Sequence, residues 1–113
     1  MLTIEFIGHV GSDATLKELE NATVINFSVA VNETYKDKNG LKQSKTKWMD
    51  CEVWNRPKLL PFIKKGGLLF VKGNPEVRAY LPKDSTEPKA VQGCRVDEIH
   101  FLSKKEGEEE PIE

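Results

Sequence analysis

From residue 24 onward the chain alternates strictly, with Ile25, Phe27, Val29 and Val31 on one side and Asn26, Ser28, Ala30 and Asn32 on the other. A period of two with one apolar face predicts a half-buried strand. A shorter apolar run at residues 3–8, closed by glycines at 8 and 11, predicts an earlier strand, with a turn at Gly11-Ser12-Asp13. Residues 35–47 are polar and carry the Asn39-Gly40 step of a tight turn, so strands two and three should form a long hairpin with an exposed tip. Strand three, residues 45–54, places Met49, Cys51 and Val53 on one face and Trp48, Asp50, Glu52 and Trp54 on the other. A closed core would not take two unpaired carboxylates, because desolvating each ion costs several kcal/mol. The face that carries both tryptophans should therefore be wet.

After strand three, Pro57 suits the first turn of a helix, and Lys64-Lys65-Gly66-Gly67 suits a basic end with a glycine stop. Pro61 would remove an interior hydrogen bond, so this helix must be short, irregular, or begin near Pro61 itself. Leu59, Leu60, Phe62 and Ile63 give it enough apolar surface to plug one end of a small barrel. Residues 68–73 and 77–81 read as a fourth strand interrupted at Asn74-Pro75, its second part with Val77, Ala79 and Leu81 inward and Arg78 and Tyr80 outward. Residues 90–102 form the fifth, with a parity shift between Val96 and Ile99 that predicts a bulge near Asp97-Glu98. An all-β chain of five strands, with one short helix between strands three and four, has the element order of the OB-fold, a five-stranded Greek-key barrel.

A chain of 113 residues fits one such domain, assigned to residues 1–103, followed by a charged segment, 104–113, without apolar periodicity that should be disordered. The net charge of −1 conceals an asymmetry. The last ten residues carry two lysines against five glutamates, whereas between Tyr35 and Trp48 stand Lys36, Lys38, Lys42, Lys45 and Lys47 against Asp37 alone. Charge alone leaves two readings of that hairpin, a solvated lysine-rich loop or a phosphate-binding one. The aromatics shift the balance. Tyr35, Trp48, Trp54 and Tyr80 interleave with cations, and single-stranded bases, with both π-faces free, stack on exposed rings without regard to sequence. The competing explanation is that these rings cover a barrel end or a subunit interface.

Other chemistry has little support. His9 and His100 have no nucleophile or carboxylate at a spacing that suggests a triad, and Asp50 with Glu52 is a weak metal signal, so neither an enzyme nor a bound cofactor is expected. Cys51 and Cys94 sit in apolar runs rather than in a ligand-spaced cluster, which fits a reduced cytoplasmic setting. No stretch approaches the roughly 20 apolar residues of a membrane span, and the N-terminus lacks a basic leader followed by an apolar run.

The residues resemble the bacterial single-stranded DNA-binding protein (SSB) family. The likeness is carried by Ile7-Gly8-His9-Val10-Gly11, by Asn26-Phe27-Ser28-Val29-Ala30-Val31-Asn32-Glu33, by Tyr35-Lys36-Asp37 and by Thr46-Lys47-Trp48. It continues through Val53-Trp54, Ile63-Lys64-Lys65-Gly66, Phe70-Val71-Lys72-Gly73 and Arg78-Ala79-Tyr80. The resemblance implies a homotetramer of OB-folds that holds single-stranded DNA without sequence choice during replication, recombination and repair, in the cytoplasm at the nucleoid. It implies base stacking at the positions of Tyr35, Trp48, Trp54 and Tyr80, with phosphate contacts from Lys36, Lys38, Lys45, Lys47, Arg56, Lys72 and Arg78. The family's Gly- and Pro-rich linker and its acidic tip with a terminal Pro-Phe pair, which recruits repair proteins, are matched here only by an acidic stretch ending Pro111-Ile112-Glu113. An alternative on the same fold is a primosome-type adaptor that binds a replication protein through the aromatic face, with DNA secondary.

Overall fold

The computed structural model describes residues 1–103; the expected acidic tail, 104–113, lies outside the described residues. Six strands form in chain order: β1 (Ile4–Val10), β2 (Thr15–Glu18), β3 (Thr23–Lys36), β4 (Lys42–Trp54), β5 (Leu68–Tyr80) and β6 (Lys89–Phe101). Five of them close a ring in the order β1-β5-β6-β4-β3, with β3 returning to β1 through His9 opposite Ala30 and Val10 opposite Val29. β4 and β6 run parallel, and the other pairings are antiparallel. The expected five-stranded OB barrel is therefore present.

β2 is an addition to it. These four residues pair with β3 just beyond the β1 contact, so β1 and β2 line the same side of β3 in succession. The hydrophobic pattern predicts no strand here, because a four-residue strand with one half-buried apolar residue, Leu16, has no alternation to detect.

The alternating apolar positions fill the barrel. Ile25, Phe27 and Val29 from β3 meet Met49, Cys51 and Val53 from β4, Leu69 and Val71 from β5, and Cys94, Val96 and Ile99 from β6, all buried. Cys51 and Cys94 are register partners in this core and remain free thiols. Burial pushes the Cys94 thiol up to about 11 and raises Cys51 further, so neither is an available nucleophile near neutral pH.

The expected helix is a 3₁₀ segment, Pro57–Phe62, rather than an α-helix running to the glycines. Pro61 lies inside it, and the tighter i→i+3 pattern suits so short a piece. Leu59 within it and Ile63 after it are buried, closing one end of the barrel as expected. Lys64 to Gly67 is a separate turn, where Gly66 takes a left-handed φ of 87° and its N–H donates to the Val10 carbonyl at 2.8 Å.

The last strand carries its expected bulge. Lys72 pairs with Glu98 but Gly73 pairs with Val96, so Asp97 has no partner across the ladder and the apolar parity resets there. Here β5 approaches β6 so closely that a Cβ on Gly73 would collide with the Arg95 carbonyl and stand 2.9 Å from the Cys94 thiol.

β5 is not interrupted at Asn74-Pro75 and runs unbroken to Tyr80. β1 leaves β5 at Gly73, so the proline disturbs no second ladder. Past the β4–β6 pairing, which reaches only Met49 opposite Gln92, the β5–β6 hairpin continues as a two-stranded arm. Val77, Ala79 and Leu81, read as inward, are consequently exposed, Val77 at 78%, since no layer covers that side of the arm. A second arm is formed by β3 and β4, which pair out to Lys36 opposite Lys42. Its tip is tied by the Asp37 carboxylate, which accepts from the backbone N–H groups of Leu41 and Asn39 at 3.0 and 2.9 Å. Those bonds, led by the one from Leu41, hold the Asp37 carboxyl below its ordinary range.

Candidate nucleic-acid interface

The site is built on the outer face of β4. Pleat alternation buries Met49, Cys51 and Val53 and turns Trp48, Asp50, Glu52 and Trp54 outward, as expected. Trp48 is 55% exposed. Its indole lies over Gly11, where a Cβ would overlap the ring and approach Ser28 Oγ to 3.2 Å. A glycine at this turn is therefore what leaves room for the ring.

Trp54 is half-buried, and the Arg95 guanidinium from β6 stacks over its ring at 5.2 Å from the centroid. Tyr80, at the end of β5, is half exposed and lines one groove of about 540 Å³ with Trp48, Lys47, Asp50, Ala90, Val91 and Gln92. Tyr35 stands apart on the β3–β4 arm, 50% exposed, with Lys45 Nζ 5.8 Å from its ring centroid. The fold thus brings Trp48 and Tyr80 together, keeps Trp54 on the same face, and presents Tyr35 on an arm.

The cations divide in the same way. Lys36 and Lys38 are exposed at the arm tip, and Lys45 lies further down the arm beside Tyr35. Lys47 lines the groove and bridges Glu33 at 3.2 Å. Arg78 reaches Asp50 at 3.6 Å, and Arg56 donates to the Asp97 carbonyl at 2.8 Å. Lys72 is placed elsewhere, in register between Glu5 and Glu98 on the wall formed by β1, β5 and β6.

Two members of this face were not anticipated from sequence. Arg95 is the register partner of Glu52, and Glu76 of β5 stands opposite Gly93 of β6 on the same face. Burial raises the Glu52 pKa, and the hydrogen bond and like charge of Glu76 raise it further, against the opposing pull of Arg78 and Arg95. Outward parity could have flagged Arg95, but its placement beside Trp54 depends on the parallel β4–β6 pairing, which no local pattern reveals. Among the described residues no group of three His, Cys, Asp or Glu side chains is arranged to hold a metal, and no helix is long and apolar enough to cross a membrane.

An exposed aromatic face with lysines, on an OB barrel, is the kind of surface that single strands occupy. Residues 1–102 match the model of the single-strand binding protein family. The chain belongs to that family. A single-stranded DNA-binding protein of Neisseria meningitidis serogroup A is 34% identical over 84 residues, covering 72% of this chain and 48% of that protein. One from Chlamydia caviae is 32% identical over 98 residues, covering 85% of this chain and 58% of the other. The chain thus spans about half the length of these curated relatives. Among solved structures, a Plasmodium falciparum SSB in complex with ssDNA superposes with a TM-score of 0.76 at 28% identity, covering 91% of this chain and 96% of that one. A small single-stranded DNA-binding protein from Streptomyces coelicolor, 18% identical, shares the fold with a TM-score of 0.74, covering 88% of this chain and 93% of the other.

Proposed function

We propose that this chain binds and protects single-stranded DNA without sequence choice in replication, recombination and repair, acting by binding rather than by catalysis. The observation that carries the reading is the groove in which Trp48 and Tyr80 stand together beside Lys47, on a barrel of the single-strand binding protein family. Bases stack on Trp48, Tyr80 and Trp54, and on Tyr35 where the strand passes along the arm, each stack contributing about 1 to 3 kcal/mol. Lys36, Lys38, Lys45, Lys47, Arg56 and Arg78 neutralise the phosphates along this path. Lys72 joins them where the strand wraps onto the next wall.

The working assembly in this reading is a homotetramer in the cytoplasm, at the nucleoid. Two features support self-association. Residues 4–7 of β1 pair with β5 on one side and have no strand partner on the other among the described residues, leaving an open ladder. The adjoining outer wall exposes Ile7, at 53%, and Leu102, with Phe70 half-buried between neighbouring strands. Poly(dT) should quench the tryptophan fluorescence in a salt-sensitive way, with a smaller quench in Trp54→Ala, and light scattering should report four copies. Absence of any quench at low salt would overturn the DNA reading; a monomeric mass would overturn the assembly.

A further inference from the structure

Two of the four rings assigned to the bases carry a cation over one face. Arg95 Cζ stands 5.2 Å from the ring centroid of Trp54, and Lys45 Nζ stands 5.8 Å from that of Tyr35. The first of these contacts is built into the barrel. Arg95 pairs with Glu52 of β4 on one side and with Asn74 of β5 on the other, so its backbone is fixed in two ladders. Cys94 and Val96 beside it are buried in the barrel, and alternation turns Arg95 out onto the face that carries Trp54. Trp54 is half-buried whereas Arg95 is exposed, so the guanidinium lies on a side of the ring that solvent, and hence a base, can reach.

The ring holds Arg95 without neutralising it. Lys47 and Arg78 on the same face are engaged by the carboxylates of Glu33 and Asp50, at 3.2 and 3.6 Å. An indole offers a quadrupole and no net charge, so a guanidinium over it keeps its own charge for a phosphate. That charge also acts on Glu52, its register partner, whose pKa it pulls down against the effect of burial. Arg95 is thus a cation whose side chain alone must move to meet a DNA strand.

We propose that Arg95 is a DNA-binding residue that changes partner as the strand arrives: it covers Trp54 in the free protein, yields that face of the ring to a base, and takes the neighbouring phosphate. The proposal rests on the reading that this face binds single-stranded DNA. The exchange runs in the favourable direction, because an exposed cation–π contact corresponds to about two- to fivefold in affinity and a base stack to between about fivefold and more than a hundredfold. A guanidinium released beside the stacked nucleotide can hold its phosphate through two N–H donors. Arg95 therefore has two opposite effects on binding. It competes with the base for the ring, and it attracts the backbone.

The test is fluorescence anisotropy of a labelled thymidine oligonucleotide with the full chain at several salt concentrations, for the wild type, Arg95→Ala, Arg95→Lys, Trp54→Ala and the double variant Trp54→Ala with Arg95→Ala. Arg95→Ala should lower the slope of log affinity against log salt by about 0.7. Extrapolated to about 1 M salt, where counterion release no longer contributes, the same variant should bind about two- to fivefold more tightly than the wild type. Arg95→Lys, which keeps the charge, should keep the wild-type slope. With Trp54 removed, loss of Arg95 should still lower the slope but bring no gain at about 1 M salt, because no ring is left to uncover. A merely structural role would weaken binding at every salt concentration and leave the slope unchanged. An unchanged slope in Arg95→Ala shows that the guanidinium meets no phosphate, and weaker binding at high salt shows that it belongs to the bound stack; either result overturns the proposal and leaves the DNA reading standing. No binding by the wild type at any salt concentration overturns both.

Discussion

Gly11→Ala tests whether Trp48 is held where a base can use it. The added methyl lands in the space of the indole, overlapping Cζ3, 3.0 Å from Cη2 and 3.2 Å from Ser28 Oγ. One side of the contact must give way. The backbone is pinned, since the Gly11 N–H donates to the Ser28 carbonyl at 2.9 Å and Val10 is tied on both sides of the turn. The indole, more than half exposed, is the softer partner and should rotate away. Driving a side chain about 30° off its rotamer costs roughly 0.5 to 1.5 kcal/mol, and restoring the stacking pose on binding then costs the same amount. Affinity for a thymidine oligonucleotide should consequently fall about fivefold, less than in Trp48→Ala, which removes a stack worth about 1 to 3 kcal/mol. Folding stability, read by urea denaturation, should change by less than about 1 kcal/mol. A loss of stability above 2 kcal/mol would mean that the barrel yields instead of the ring, and unchanged affinity alongside a weakened Trp48→Ala would show that the seat on Gly11 does not matter. Either result refutes the reasoning.

Three further outcomes follow from the same geometry. Gly73→Ala, where the methyl meets the Arg95 carbonyl and the Cys94 thiol with no flexible side chain to displace, should cost about 1 to 3 kcal/mol or more in urea denaturation. Lys47→Ala should lower the dependence of log affinity on log salt by about 0.7, whereas Lys72→Ala, on the wall between Glu5 and Glu98, should change the slope less unless the strand wraps that far; titrations at several salt concentrations separate the two. Because the folded-state pKa of Glu52 is raised, its protonated carboxyl contributes stability that is present below the ordinary value of 4.5 and lost as pH rises through the folded value. Glu76→Gln should therefore raise the melting temperature at pH 8 but not at pH 4, by the equivalent of at most about 1 kcal/mol for so exposed a pair.

The parts of this fold that the sequence made legible are those where one strand face is buried. Ile25, Phe27 and Val29, and likewise Met49, Cys51 and Val53, repeat every second residue because the barrel interior removes them from water while their neighbours stay wet. The same rule located the bulge, since only an unpaired residue can return Ile99 to the inside after Val96. It failed at Val77, Ala79 and Leu81 for a physical reason. Alternation reports which side of a strand is apolar, but not whether another layer lies against it, and beyond the last β4–β6 pair none does.

The site divides along the same line. A local rule, that Asp50 and Glu52 on one face of a strand cannot be buried unpaired, places Trp48 and Trp54 outward, and the face as a whole is outward in the fold. It does not extend to Glu52, where burial, together with the neighbouring Glu76, raises the pKa of the carboxyl. Nothing local could have shown this, because it needs β5 to reach across β6 at a position that lacks a side chain, and Gly93 read in isolation signals only a weakened strand. The same crossing brings Arg78 to Asp50 and sets Arg95 beside Trp54. What strand parity resolves is therefore the set of rings that face outward. What parity leaves open is the charge around those rings, which is carried over β6 from strands far apart in sequence and is set by closure of the barrel.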